Sequence, residues 1–438
     1  MNLFARVANV VSFNVLQTFF SKALAFVNFA ILVRLLSAEE IGILGLSGGY
    51  VALLGFVLIL PESVFIRDFV KIKGDINKYL SSFFGFSIVR SLLLLLMAVP
   101  VAVWLYFQQQ SEVVAAYFLL LVTSTLLTSL TGPFREAFYA NFRQARITFV
   151  DLILNIVSLS ALVILFFSQN ILTYGFIQVM VALLGVGWWY WNAVSKLGFS
   201  FHLFQGWLTL AWKSVQGFAL WNHLSGMAIR LISQADIVIL GFFVGLIELG
   251  NYAVALTIAS VFFVFPQLIQ KAVTLSFSQR ETNESTRNIL GIAIRYNTLF
   301  SLAQLGGYIL VGPYLVSWLS PANPDVVFAY SVYLATGVTF YNLARPWLAL
   351  IVAKIDARKF FFELFLIPCL FAVPLYLFFV SREGAIGLAQ ANIIAYALLS
   401  VWTAIYCMKT LHVYPRFQLA PFEKNMLVKV FRKKHSQK

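Results

Sequence analysis

The sequence predicts an all-α integral membrane protein, with twelve transmembrane helices in two six-helix lobes related by a pseudo-twofold axis along the membrane normal. Three observations predict it. The 438-residue chain is 61% hydrophobic and 11% charged, with a mean hydropathy of +0.86. Globular chains are about 45–50% apolar and about 25% charged, so no soluble core absorbs this excess. The apolar runs recur at the roughly 20-residue length that a bilayer requires. A pattern also repeats at one offset. Lys22 falls on Arg230 (22 + 208 = 230), Asn28 on Asp236, and Glu40-Ile41-Gly42 on Glu248-Leu249-Gly250.

Spans are predicted near 9–36, 42–70, 79–105, 113–134, 147–167, 171–194, 217–244, 250–277, 288–311, 326–352, 360–380 and 385–408. Arg6 ahead of apolar sequence could mimic a secretion signal. The apolar run continues to about Leu36, past the roughly 7–15 residues of a signal core, with no small-residue cleavage site after it. It is read as a retained first span. The organisation that follows is an N-terminal lobe over 1–194, a linker over 195–216, a C-terminal lobe over 217–408 and a basic tail over 409–438.

Loop charge orients the spans. One set of connections holds Lys71, Lys73, Lys78, Arg143, Arg146, Lys196, Lys213, Arg280, Arg287, Lys354, Arg358 and Lys359. The opposite set holds Glu39, Glu40, Glu112, Glu248, Asp325 and Glu383, with Arg382 its one basic residue. Lys and Arg stay cytoplasmic, which puts both termini inside and accounts for the net charge of +14 without nucleic acid.

Further matches between the halves keep the same order. Within helix 3 the segment FFGFSIVR ends at Arg90, and within helix 9 ILGIAIR ends at Arg295; Arg135 answers Arg345; RITFVDLIL from Arg146 answers RKFFFELFL from Arg358. Six is even, so the second lobe starts from the same side and the repeat is parallel. The linker, with Phe199, Phe201, Leu203, Phe204 and Trp207 among polar residues, is expected on the inner surface. Trp188 to Trp191 suit an interfacial aromatic belt. In the tail, Phe422, Met426, Leu427, Val430 and Phe431 form a helical stripe among lysines and arginines, as for a helix on anionic lipid; a plain solvated tail is the alternative. Cys369 and Cys407 lie inside predicted spans, with neither a disulfide framework nor metal spacing.

An ion near the bilayer centre costs at least roughly 2.5–3.5 kcal/mol, so it faces a watery cavity or a partner. Lys22 and Arg230 each lie about 20 Å into helices that start from the cytoplasm, at about 1.5 Å per residue. His223, Gly226, Arg230, Ser233, Gln234 and Gly241 share one face of helix 7, and Asn14, Thr18 and Lys22 step along helix 1. Two readings stand for Lys22 and Arg230: cations lining a substrate cavity, or structural counter-ions. Arg90 and Arg295, shallower, are cavity cations or snorkel to the inner interface. Asp151 and Glu363 fall in the expected first turns of their helices, where acids favour the helix dipole. Asp236 is the deepest carboxylate, about 120° around from Arg230, and is an ion-coupling candidate or a counter-ion for a neighbouring helix. Glu62, after Pro61, is the second ion-coupling candidate. The four histidines make no metal-ligand cluster, and no phosphate-binding glycine loop or nucleophile elbow occurs. Short outer loops leave little room for an enzyme site.

The segments RLLSAEEIG at 34–42, ADIVILGFFVGLIELGNY at 235–252 and FRQARITFVDLILNIV at 142–157 resemble the multidrug/oligosaccharidyl-lipid/polysaccharide (MOP) superfamily. More narrowly they resemble its polysaccharide-transporter branch, the Wzx-type flippases, and the resemblance spans essentially the whole chain. It implies a bacterial inner-membrane transporter that moves an undecaprenyl-diphosphate-linked oligosaccharide to the outer leaflet by alternating access, for a surface polymer such as O-antigen. Its partners would be membrane lipids and polysaccharide polymerase machinery; no cofactor is implied beyond a coupling proton or sodium ion. Twelve helices differ from the fourteen usual in lipid II flippases. A drug exporter of the MATE branch and a membrane enzyme of envelope glycan assembly are the alternatives. A mid-membrane pair of cations suits an anionic lipid head better than a cationic drug.

Overall fold

A computed structural model describes residues 3–59, 61–63, 65, 73–141, 143–278, 283–320 and 322–416. The basic tail stripe, Lys71 and Arg280 lie outside the described residues, and the side chains of Asn14 and Lys73 lie outside those described. The described chain is helical, and eleven of its helices are long and apolar enough to cross a membrane. The last of these, Ala357–Thr410, has 54 residues, or about 80 Å at 1.5 Å per residue against a hydrocarbon layer of about 30 Å. Gly384 divides it, with φ 59° and ψ −136°. Only glycine adopts that conformation without strain, and two helices meet there.

In the first half, α1 (Leu3–Leu35), α2 (Ala38–Leu54), α3 (Ile76–Gln109), α4 (Glu112–Leu130), α5 (Gly132–Ala140), α6 (Gln144–Ala161), α7 (Val163–Ser168) and α8 (Ile171–Leu197) run in order. In this half α1 packs on α6, and α4 sits among α2, α3 and α8. The second half holds α10 (Phe218–Leu240), α11 (Leu246–Ser260), α12 (Val264–Ser278), α13 (Asn283–Leu319), α14 (Pro324–Lys354) and α15 (Leu366–Thr410), reached through α9 (Trp207–Val215). Here α14 is central, touching α11, α12, α13 and α15.

The repeated acidic turn is a helix start in both halves. Ser37 caps α2 in a reciprocal capping box with Glu40, satisfying two backbone donors. Glu40 also accepts from the Ile171 backbone N at 2.9 Å, tying the start of α2 to the start of α8. Glu248, in the first turn of α11, instead accepts from the Tyr330 hydroxyl of α14 at 3.3 Å.

Several local expectations change. The second span runs over Ala38–Val57 and not continuously to near 70: its α-helix ends at Leu54 and passes into 3₁₀ turns at Gly55–Val57 and Pro61–Ser63; Gly55 and Pro61 both weaken a continuing helix. Asp151 is two turns inside α6, not in its first turn, because α6 begins at Gln144; Glu363 lies in a π-helical stretch, Phe360–Phe365. Trp189 is buried against Phe138 and only its neighbours Tyr190 and Trp191 face outward, so the aromatic belt is partial. The linker does not merely rest on a surface. Phe199 is buried in an aromatic cluster with Phe84 and Phe134, and the Ser82 hydroxyl of α3 donates to the Trp207 carbonyl at 2.5 Å.

Candidate functional site

The two halves meet along α2 and α11, and the contact is reciprocal. A Cβ on Gly42 would run into the Leu246 carbonyl, and a Cβ on Gly250 into the Ala38 carbonyl. At the offset of 208, Gly42 corresponds to Gly250 and Ala38 to Leu246 (38 + 208 = 246), so the two contacts involve matched positions. Gly45 and Gly49 continue this face against Ile237 of α10. Other links between the halves lie toward the same ends of the helices. Gln108 and Gln109 of α3 donate to the Gly241 carbonyl at 3.0 and 3.2 Å, and Arg34 of α1 donates to the Trp318 carbonyl at 2.5 Å with its guanidinium over that ring.

Farther along, α2 and α11 both give way to a 3₁₀ turn, at Gly55–Val57 and Val261–Phe263. Arg230 and Lys22 stand beside these turns. Arg230 Nη1 lies 3.1 Å from where a Cβ on Gly55 would be, and His223 Nε2 lies 3.1 Å from the Phe56 carbonyl oxygen, which can only accept. Lys22 opens into a 560 Å³ cavity walled mainly by apolar residues of α1, α11, α12 and α13, among them Phe26, Val261 and Phe265. Both cations are exposed, and among the described residues neither side chain has a hydrogen-bond or ion-pair partner. They occupy corresponding places, yet each faces the turn of the opposite half, and no described cavity holds both.

The remaining predicted residues fall into networks. Arg90 and Glu62, expected as a cavity cation and a separate ion-coupling acid, form one buried pair at 3.0 Å, each side chain 2% exposed. Arg90 also donates to the Ile59 and Ser129 carbonyls, at 2.6 and 3.2 Å. Burial this complete removes snorkelling, because the guanidinium's donors are directed at protein acceptors instead of the interface. Arg295 is partly buried, with its guanidinium over the Tyr296 ring at 5.3 Å. Arg135 makes a bidentate pair with Asp151, at 2.9 and 2.6 Å, to which Gln17 of α1 also donates. Among the described residues Arg345 has no such acid and donates to Asn342 and Gln270, both at 2.8 Å; Glu363 accepts from the Tyr406 hydroxyl at 2.6 Å.

Asp236 does look toward neighbouring helices. It is fully buried, accepting from its neighbour Ile237 N at 2.8 Å, from the Tyr252 hydroxyl of α11 at 2.9 Å and from Asn392 Nδ2 of α15 at 2.7 Å. Tyr376 joins through Asn392 at 3.3 Å. Among the described residues no cation reaches this carboxylate. Among them, too, no cluster of three or more His, Cys, Asp or Glu could hold a metal.

A second group was overlooked in the sequence. Two cavities, of 450 and 400 Å³, are lined by the first half, the smaller also by Thr257 of α11, and share Asn155, Ser158 and Gln178. Weak bonds cross the 400 Å³ space, Asn28 to Ser158 and Tyr174 to Asn28, both at 3.5 Å. The pattern was readable: at 100° per residue Gln17, Ser21 and Asn28 stand within about 40° of arc, and Asp151, Asn155 and Ser158 on α6 within about 60°.

The sequence model of the polysaccharide biosynthesis protein family matches residues 31–320. The chain belongs to that family. A curated relative, a probable flippase, AglR, from Haloferax volcanii, is 26% identical over 194 residues, which cover 43% of this chain and 40% of the relative's length. Among solved structures, the lipid II flippase MurJ in an inward closed conformation aligns with a TM-score of 0.71 at 15% identity, over 92% of this chain and 88% of that one. An inward-facing multidrug-resistance MATE transporter of the MOP superfamily aligns at 0.66, also at 15% identity, over 89% and 95% of the two chains. The fold is that of the MOP superfamily.

Proposed function

We propose that this protein is a flippase that moves an undecaprenyl-diphosphate-linked oligosaccharide from the inner to the outer leaflet of the bacterial inner membrane, for surface polysaccharide assembly. The observation that carries the reading is the placement of two cations without a side-chain partner among the described residues, Lys22 and Arg230, midway along helices between the halves. An unpaired ion there costs several kcal/mol unless water or an anion meets it. A diphosphate is such an anion, and the apolar cavity beside Lys22 suits an isoprenoid. The family match and the flippase relative support the class. The reciprocal glycine seam and the break at Gly384 support twelve helices in two lobes, with both termini cytoplasmic. Polymerase machinery would take up the product.

The potential favours the direction. Each negative charge moved fully outward gains roughly 2.3 kcal/mol per 100 mV. A buried carboxylate with donors but no cation, Asp236, is the candidate for a returning proton or sodium ion. The MATE likeness keeps an ion-coupled small-molecule exporter as the second reading.

Purified protein in vesicles loaded with the diphosphate-linked oligosaccharide tests this. Wild type should expose the glycan on the opposite leaflet, Arg230→Ala should stop it while remaining folded, and Arg230→Lys should keep part of it, since charge survives but the bidentate fork does not. Export of a cationic dye with no glycolipid movement would favour the second reading.

A further inference from the structure

The chambers of the first half differ in chemistry from the cavity beside Lys22, and α1 is the partition. Its Lys22, Phe19 and Phe26 line the 560 Å³ cavity, whereas Ser21, Leu24 and Asn28 line the inner chambers. The cavity and the 400 Å³ chamber meet at Ala25 and Thr257. Inside the chambers, charge is cancelled, because Arg135 is held by Asp151. Apart from that ion pair, the polar lining is neutral: amides, hydroxyls and the indole of Trp189.

Three polar atoms of this wall are buried without a hydrogen-bond partner: the Tyr117 hydroxyl, the Trp189 Nε1 and the Gln178 Oε1. Tyr117 and Trp189 are 0% and 1% exposed. Buried polar groups are rarely left unmatched, since each costs desolvation without return. Donors and an acceptor, in volumes within the roughly 300–1,000 Å³ of small-molecule sites, would suit an uncharged molecule rich in hydroxyls. A phosphate would find no free cation there, and a cation no free acid.

We propose that the chambers between α1, α4, α6 and α8 bind the saccharide of the carried lipid, with the isoprenoid side of the molecule across α1 beside Lys22. This rests on the flippase reading and adds which part of the protein reads the sugar. Tyr117, Trp189, Gln178 and Asn155 would then set glycan preference, while Lys22 and Arg230 act on any diphosphate lipid.

The full chain in vesicles is supplied with two probes, undecaprenyl diphosphate bearing one N-acetylhexosamine and the same lipid bearing the host's complete oligosaccharide. Asn155→Leu should slow the complete form about tenfold, the effect of one lost polar contact, and leave the one-sugar form within about twofold. Equal slowing of both, or of neither, overturns the proposal. A photoreactive residue at Ser158, with Phe19 as comparison, gives a readout that does not depend on Asn155→Leu folding. Saccharide attached at position 158 supports the proposal. Glycolipid attached at 19 with nothing at 158 leaves the chambers to water alone and overturns it. If wild type moves neither probe, the flippase reading has failed, and this one with it.

Discussion

The two halves follow one helical plan and use its interior differently. At one repeat position the first half has Asn28, reached by two hydrogen bonds at the 3.5 Å limit and bordering an open chamber. The second half has Asp236, gripped at 2.7–2.9 Å by Tyr252, Asn392 and its own backbone neighbour in a filled core. At another, Glu62 holds Arg90, whereas Gln270 (62 + 208 = 270) holds Arg345. The first half pairs Arg90 and Arg135 with acids and leaves a polar hollow. The second holds Arg345 by amides, which accept its hydrogen bonds without cancelling its charge, and keeps the Asp236 carboxylate in solid packing. Exchanges between amide and acid at matched positions thus separate an open polar hollow in one half from a packed carboxylate in the other.

The sharpest way to break this contrast is Glu62→Ala. It leaves Arg90 as a buried, uncompensated charge and should cost about 3–5 kcal/mol, read as a lowered unfolding midpoint in detergent. Gln270→Ala should cost less than half as much, since Arg345 keeps Asn342; equal losses would erase the distinction between the halves.

The seam comes next. Gly42→Ala and Gly250→Ala each drive a methyl into facing backbone, and about 1–3 kcal/mol is expected for each, as for other overpacked sites. Gly48→Ala, with nothing within 4 Å of its Cβ, should be silent. A silent Gly250→Ala beside a damaging Gly42→Ala would contradict the reciprocal contact.

Asp236→Asn tests the packed site. The amide turns its NH₂ toward groups that are themselves donors, so a stability loss of about 1–3 kcal/mol is expected, together with loss of any dependence of flipping on an ion gradient. Asn28→Ala is the smallest effect, at most about 1 kcal/mol, because both bonds it loses are long. A larger loss for Asn28→Ala than for Asp236→Asn would reverse the assignment of the two interiors.

Much of this was legible in one dimension. Lys22 and Arg230 were found because charge in an apolar span is conspicuous, and the acidic turns because Glu40 and Glu248 recur in register. The chamber was missed although Gln17, Ser21 and Asn28 form a stripe, since amides and hydroxyls blend into a span where a charge does not. The second span was drawn too long because hydropathy continues past Gly55, although Pro61 marked the break.

By itself the sequence determined the membrane class, the repeat and its offset, and the residues that are costly in a bilayer. These follow from composition and spacing, which each segment carries alone. Only the tertiary structure decided partners: that Arg90 belongs to Glu62, that Arg135 belongs to Asp151, that Asp236 meets Asn392 across 156 positions, and that Gly42 and Gly250 face each other. A hydrogen bond or a close backbone approach is settled within a few ångströms, and helix phase and crossing angle bring groups that close only once every helix has found its neighbours.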